Sequence, residues 1–224
     1  MPIADKSFTE IKEGCNLTLS SILAGVCISI GCIVNLMVGG GPLGAILFTF
    51  GLITVVHYKY ALFTGTAGFI KNYEDFLNLF FIIFIGNFIG CALTSYAACY
   101  AIPDLHDKCN ALMELRTHYN MWQAFIRAIF CGFLMTTAVE FAKKNHWLPL
   151  LFAVPMFILC GFPHCIADSF YIFACETYSN VSLLIGKYLL IILGNFVGCN
   201  LFRALCFSWQ KVTKTHNSDL VCKK

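Results

Sequence analysis

Charge is the first thing this sequence lacks. Of its 224 residues only 12% are Asp, Glu, Lys or Arg, about half the share of a soluble domain. With 58% hydrophobic residues, the chain is read as an all-α polytopic membrane protein. A net charge of +3 is too small to point to nucleic acid as a partner. No Gly-x-x-x-x-Gly-Lys loop occurs, which argues against transport driven by nucleotide hydrolysis. The thirteen cysteines form no CxxC pair, and their odd number excludes a complete internal disulfide framework. Most lie in apolar runs, where a thiol behaves as a small hydrophobe, so no metal and no cofactor is expected. No cleavable signal sequence is expected either. Met1–Asn16 carries Asp5, Lys6, Glu10, Lys12 and Glu13, and the apolar run that follows is long enough to span.

What is present is a succession of apolar runs. Spans are expected over about Leu17–Val38, Leu43 onward through a break, Phe76–Ala101, Trp122–Ala142, Leu148–Cys175 and Ser182–Trp209. This divides the chain into a cytoplasmic segment 1–16, a transmembrane domain 17–209 and a mobile cytoplasmic tail 210–224. Gly39-Gly-Gly-Pro42 reads as an uncharged turn, Pro103–Asn120 as the longest loop and Glu176–Asn180 as a short one. Lysine and arginine set the orientation. Lys6, Lys12, Lys59, Lys71, Lys143, Lys144 and Arg203 lie with the tail lysines on one side. Only Lys108, Arg116, Arg127 and Lys187 lie on the other. Both termini are therefore expected in the cytoplasm.

Two runs are interrupted. The second carries Leu62-Phe-Thr-Gly65, and the fifth carries Gly161-Phe-Pro-His-Cys-Ile-Ala-Asp168. A helix cannot simply stop in hydrocarbon, because its freed N–H and C=O groups find no water there. Such breaks belong where protein or a cavity covers them, and an ionisable residue at that depth marks a functional site. His164 is thus the candidate centre of a pathway. An internal repeat supports this: Ile85-Gly-Asn-Phe-Ile-Gly-Cys91 returns as Leu193-Gly-Asn-Phe-Val-Gly-Cys199. Each half holds three spans, so the second is inverted, and the breaks fall in the middle span of each half. That 3+3 plan places sites near the midplane between broken helices. Asn87 and Asn195 are expected to bond across helices while the glycines allow close packing.

These residues resemble the formate–nitrite transporter family. Phe48-Thr-Phe-Gly-Leu-Ile-Thr-Val-Val56 and Ala61-Leu-Phe-Thr-Gly-Thr66 are similar to its second helix and following loop. Gly161–Phe170 is similar to its fifth-helix signature, and both Gly-Asn-Phe motifs fit. The resemblance runs from about Leu17 to Leu205. It implies a homopentamer of aquaporin-like protomers in the plasma membrane, each with a pore for small weak-acid anions: formate, nitrite, hydrosulfide, acetate or lactate. It gives His164 the central position and Thr64 the place facing it. Phe48 and Phe157 would form the outer constriction, and Leu52, Leu62 and Ala167 the inner one. The chain departs from the family at Ala61 and Pro163, which replace carboxylates, and at Asp168, which replaces an asparagine.

A bare anion crosses an apolar constriction at high cost. Half-helix N-termini and a histidine that offers a proton or hydrogen bond would reduce it, so protons are expected partners beside the anion and the bilayer. For Asp168 two roles are open: stabilising protonated His164 one helical turn away, or bonding backbone N–H groups at the break. The plain alternatives are a hydrogen-bonded core histidine, a Thr64 hydroxyl bonding local backbone, and packing phenylalanines. Other functions on the same residues are a water or neutral-solute channel, which would need paired Asn-Pro-Ala breaks, and a metal enzyme using His164 and Asp168. No third ligand at a matching spacing supports the latter, and no enzyme activity is expected.

Overall fold

The computed structural model describes residues 3–175 and 181–221; the expected Glu176–Asn180 loop and the last three residues lie outside them. Apolar runs become helices, and no strand occurs among the described residues. Helix α1 (Ile3–Met37) is followed by α2 (Gly41–His57) and the short α3 (Phe63–Thr66), which passes through a 3-10 turn, Ala67–Phe69. A continuous helical stretch then comprises α4 (Tyr73–Leu77), a π-helical segment Asn78–Phe84 and α5 (Ile85–Ala101). After α6 (Leu105–Thr117) come α7 (Met121–Lys143), α8 (Leu148–Leu159), α9 (Cys165–Ala174) and α10 (Val181–Val221).

Among the described residues, four helical stretches are long and apolar enough to cross a membrane: Asn16–Met37, Tyr73–Ala101, Met121–Lys143 and Val181–Leu205. The shorter apolar helices Gly41–His57, Leu148–Leu159 and Cys165–Ala174 make up the two broken spans. α1 and α10 extend as helices beyond the expected span ends at Leu17 and Trp209. The expected Pro103–Asn120 loop is instead largely helix α6. Its buried Leu105, Cys109 and Met113, spaced four apart, form one apolar stripe that packs against α9 and α1.

The packing repeats between the halves, consistent with an inverted 3+3 plan. α1 packs on α5 and α2, and α7 packs on α10 and α8. Glycines make the long contacts close. A methyl added at Gly25 would meet the Asn87 carbonyl, and one at Gly132 the Asn195 carbonyl. The carbonyls of Ile22 and Ile129 stand equally close to Gly90 and Gly198. The backbones touch at four matched points, two in each half, and any side chain there would separate the helices. α2 and α8, which carry the Phe48 and Phe157 rings, pack on each other across the halves.

Candidate functional site

Each broken span ends its first helix in the same way. At α8, Phe162 N–H bonds Phe157 O (2.8 Å) and Gly161 N–H bonds Ile158 O (3.1 Å), with Gly161 at φ +66. At α2, Tyr60 N–H bonds Val55 O (2.9 Å) and Lys59 N–H bonds Val56 O (3.2 Å), with Lys59 at φ +57. Both are left-handed caps that satisfy the last carbonyls inside the protein. The chain then runs extended through Leu62 or His164 into the next short helix. The first break accordingly falls at Tyr58–Leu62, and Thr64 and Gly65 lie within α3, not in the break where the sequence pattern puts them.

Two asparagines hold these breaks. Asn87 Oδ1 accepts from Phe63 N–H (2.8 Å), while its Nδ2 donates to Ser21 O (2.7 Å) and Ala61 O (2.8 Å). Asn195 Oδ1 accepts from Cys165 N–H (2.8 Å), and its Nδ2 donates to Ala128 O (2.8 Å) and Pro163 O (3.0 Å). Each amide ties a long helix to the edges of its own half's break. The repeated cysteines reach the other half: Cys91 Sγ lies 3.3 Å from Ile166 O, and Cys199 Sγ 3.4 Å from Thr64 O. The sequence motif signals cross-helix bonding but not that its partners are the breaks, which lie far away in the chain.

His164 and Thr64 meet across the two breaks, with Nε2 to Oγ1 at 2.8 Å; both are buried. His164 Nδ1 accepts the Ala167 N–H at 3.2 Å. A nitrogen that accepts carries no proton, so the neutral ring holds its proton on Nε2 and donates it to Thr64. The Thr64 hydroxyl hydrogen remains free for a further acceptor. The Phe157 ring lies 5.7 Å from the imidazole and 5.9 Å, edge-on, from Phe48. Phe48, Phe157, His164 and Ala167 line one cavity of about 230 Å³, together with α6 side chains. Leu52 and Leu62 are buried but do not line it. Not all first-turn N–H groups point at an open path, as half-helix N-termini facing an anion would require: Phe63, Cys165 and Ala167 give theirs to side chains.

Neither role expected for Asp168 is what the structure shows. Both nitrogens of His164 are engaged elsewhere, so the imidazole has no site left for the carboxylate. Asp168 instead lies against Arg116 of α6, with Nη2 to Oδ1 at 3.1 Å. Its buried position is matched by a cation whose place in the sequence bears on topology alone. The signal was available: Arg116 falls in line with Leu105, Cys109 and Met113 on the packed side of α6. The same engagement weakens a metal reading, and among the described residues no group of three or more His, Cys, Asp and Glu is placed to hold a metal.

Residues 10–209 match the sequence family described as formate/nitrite transporter. The chain belongs to that family. Two solved structures share its fold. One, described as a pentameric formate channel with formate bound, is 21% identical with a TM-score of 0.79, over 90% of this chain and 98% of that one. The other, described as an FNT family ion channel, is 16% identical with a TM-score of 0.76, over 90% and 92%. No curated protein matches the chain.

At Ala61 and Pro163, where the resemblance leads to an expectation of carboxylates, the structure shows what anchors the loops of this formate/nitrite transporter family member. Ala61 N–H bonds Ser20 Oγ (2.9 Å) and its carbonyl takes the Asn87 amide. Pro163 O takes the Asn195 amide, and Arg127 Nη1 donates to Cys160 O at 3.0 Å. Two neutral amides, a serine hydroxyl and one arginine do the anchoring, so no buried carboxylate is required. Ser20 and Arg127 carry no sequence signal for this role, because their partners are backbone atoms of distant loops.

Proposed function

We propose that this formate/nitrite transporter family member is a channel for small monovalent weak acids. Formate and nitrite head the group, with hydrosulfide, acetate and lactate as further candidates, and passage is passive or accompanied by a proton. The observation that carries this is the His164–Thr64 hydrogen bond, which joins the second break to the short helix after the first, beside the Phe48–Phe157 pair. A small anion leaving water loses several kcal/mol of solvation or more. A neutral acid loses much less, so an apolar slit favours proton and anion passing together. The Thr64 hydroxyl, with its hydrogen uncommitted, would offer an anion a donor next to His164, which fixes that hydroxyl in place. The assembly is read as a homopentamer in the plasma membrane with both termini cytoplasmic. The α6-side cavity is then the external vestibule, and Leu52 and Leu62 lie toward the cytoplasm.

Uptake of formate and nitrite into liposomes containing the purified protein, without nucleotide and at several external pH values, tests the reading. His164→Phe keeps a ring of similar size and removes both nitrogens. Flux is expected to fall at least about tenfold, as for loss of an interaction made at the barrier. No uptake of any acid by wild-type protein would sink the proposal. Uptake unaltered in an assembled His164→Phe protein would reduce the histidine to packing.

A further inference from the structure

We propose that Arg116 is the anion-recognising residue of the α6-side cavity, and that the Asp168 carboxylate is its built-in counter-ion, with which an entering oxyanion competes. The proposal rests on the channel reading above for the identity of that oxyanion.

Arg116 is the one cation among the described residues that line the cavity shared with His164 and Phe157. Its side chain is 19% exposed and that of Asp168 is 3% exposed. The two are close, but their contact is not that of a satisfied pair. Oδ1 lies 3.1 Å from Nη2 without hydrogen-bond alignment, and Oδ1 and Arg116 Nη1 both lack a hydrogen-bond partner. A guanidinium carries five donors in a planar fork that matches a carboxylate two bonds at a time. Here Nη1 is without a hydrogen-bond partner, and the residue borders a space of about 230 Å³, roomy enough for a small acid. The second arginine nearby cannot substitute, since Arg127 is committed to Cys160 O and stacks on Tyr119 with 4.1 Å to the ring centroid.

The resident counter-ion indicates the chemistry of the ligand. A site that holds a carboxylate loosely is suited to formate, whose two oxygens repeat the aspartate head group, and to bent nitrite. A spherical anion presents one centre and matches the fork less well than two oxygens do. Asp168 also keeps the vestibule electrically neutral at rest. The price of an unpaired arginine there would be anion trapping: it would hold each anion too tightly to let it pass on, and conduction needs release as well as binding.

Binding and flux are measured separately. In calorimetry of detergent-purified protein, sodium formate is expected to bind more tightly than sodium chloride. Asp168→Asn, which removes the competitor, should tighten formate by about tenfold, the size of one charge-assisted hydrogen bond. Arg116→Lys should keep the charge yet lose the preference for formate over chloride. Arg116→Gln alone strands a buried carboxylate, so the neutral pair Arg116→Gln/Asp168→Asn replaces it; that protein should bind formate at least about tenfold more weakly. If the pair were structural only, the neutral pair and Asp168→Asn would both bind formate as wild type does, and the proposal would be overturned. In liposomes, Arg116→Lys should raise KM for formate while maximal flux is kept. Wild-type protein that binds formate through Arg116 but carries none would sink the channel reading and leave the recognition site standing.

Discussion

At the scale of single residues, the site depends on hydrogen bonds whose loss leaves a buried partner stranded. Thr64 shows this best, because its hydroxyl receives the Nε2–H of His164 and its removal leaves a donor in an apolar place. Thr64→Val keeps the shape and is expected to cost about 1–3 kcal/mol of stability, with flux reduced in step. Thr64→Ser restores the hydroxyl and should recover most of both. Thermal melts of the detergent-solubilised protein, paired with uptake rates, read the two effects. If valine and serine behave alike, the hydroxyl does not matter and the histidine is held by other means. This part of the site was legible in sequence, since a histidine beside a helix-breaking proline in an apolar run has few ordinary explanations. Arg116 was not legible as a site residue. An arginine in a polar stretch looks like a solvated loop charge until the stretch is seen to be a packed helix, and only then does Asp168 acquire a partner.

At the scale of elements, the breaks are made by end motifs that local sequence predicts unevenly. Gly161 sits at φ +66, where glycine is free of strain, and Lys59 occupies the matching position at φ +57 with a side chain that resists it. Gly161→Ala is expected to destabilise by about 1–2 kcal/mol through the left-handed backbone alone. Its methyl would also stand 3.1 Å from the Tyr119 hydroxyl. Lys59→Gly should act in the opposite sense, stabilising by up to about 1 kcal/mol. Melting temperatures that move together, or not at all, would show that the two caps are not equivalent. The proline and glycine of the second break announce it in sequence, whereas the first, made by Tyr58-Lys-Tyr-Ala-Leu62, contains neither. The sequence pattern therefore places it a few residues late, at Leu62–Gly65. The asparagine motif was legible as a repeat, but which backbone it holds depends on tertiary contacts between residues as far apart as Cys165 and Asn195. The glycines carry a sharper consequence. At Gly198 an added methyl runs into the Ile129 backbone carbonyl, which cannot step aside as a side-chain tip can. Gly198→Ala is therefore expected to prevent α7 and α10 from closing and to abolish recovery of folded protein. A normal yield would show that these helices can separate at little cost.

At the scale of the whole molecule, what matters is that the fold of one chain brings the candidate site residues together. His164, Thr64, Phe48, Phe157, Arg116 and the two asparagines are gathered by one chain's helices, while large apolar side chains such as Phe50, Phe81 and Trp122 face outward. If the assembly is a pentamer, the proposed pathway passes through each protomer and not along the axis between them. Co-expressed wild-type and His164→Phe subunits, purified as mixed assemblies and placed in liposomes, decide between these arrangements. With independent pores, formate uptake should fall in direct proportion to the mutant fraction, because each wild-type subunit retains its own His164–Thr64 pair. A shared axial pore would be lined by every subunit at once, so one mutant could impair the whole assembly and uptake would collapse steeply at low mutant fractions. The steep curve would also mean that the cavity beside α6 is not the route. A linear decline would tie transport to the space where Phe48, Phe157 and His164 converge.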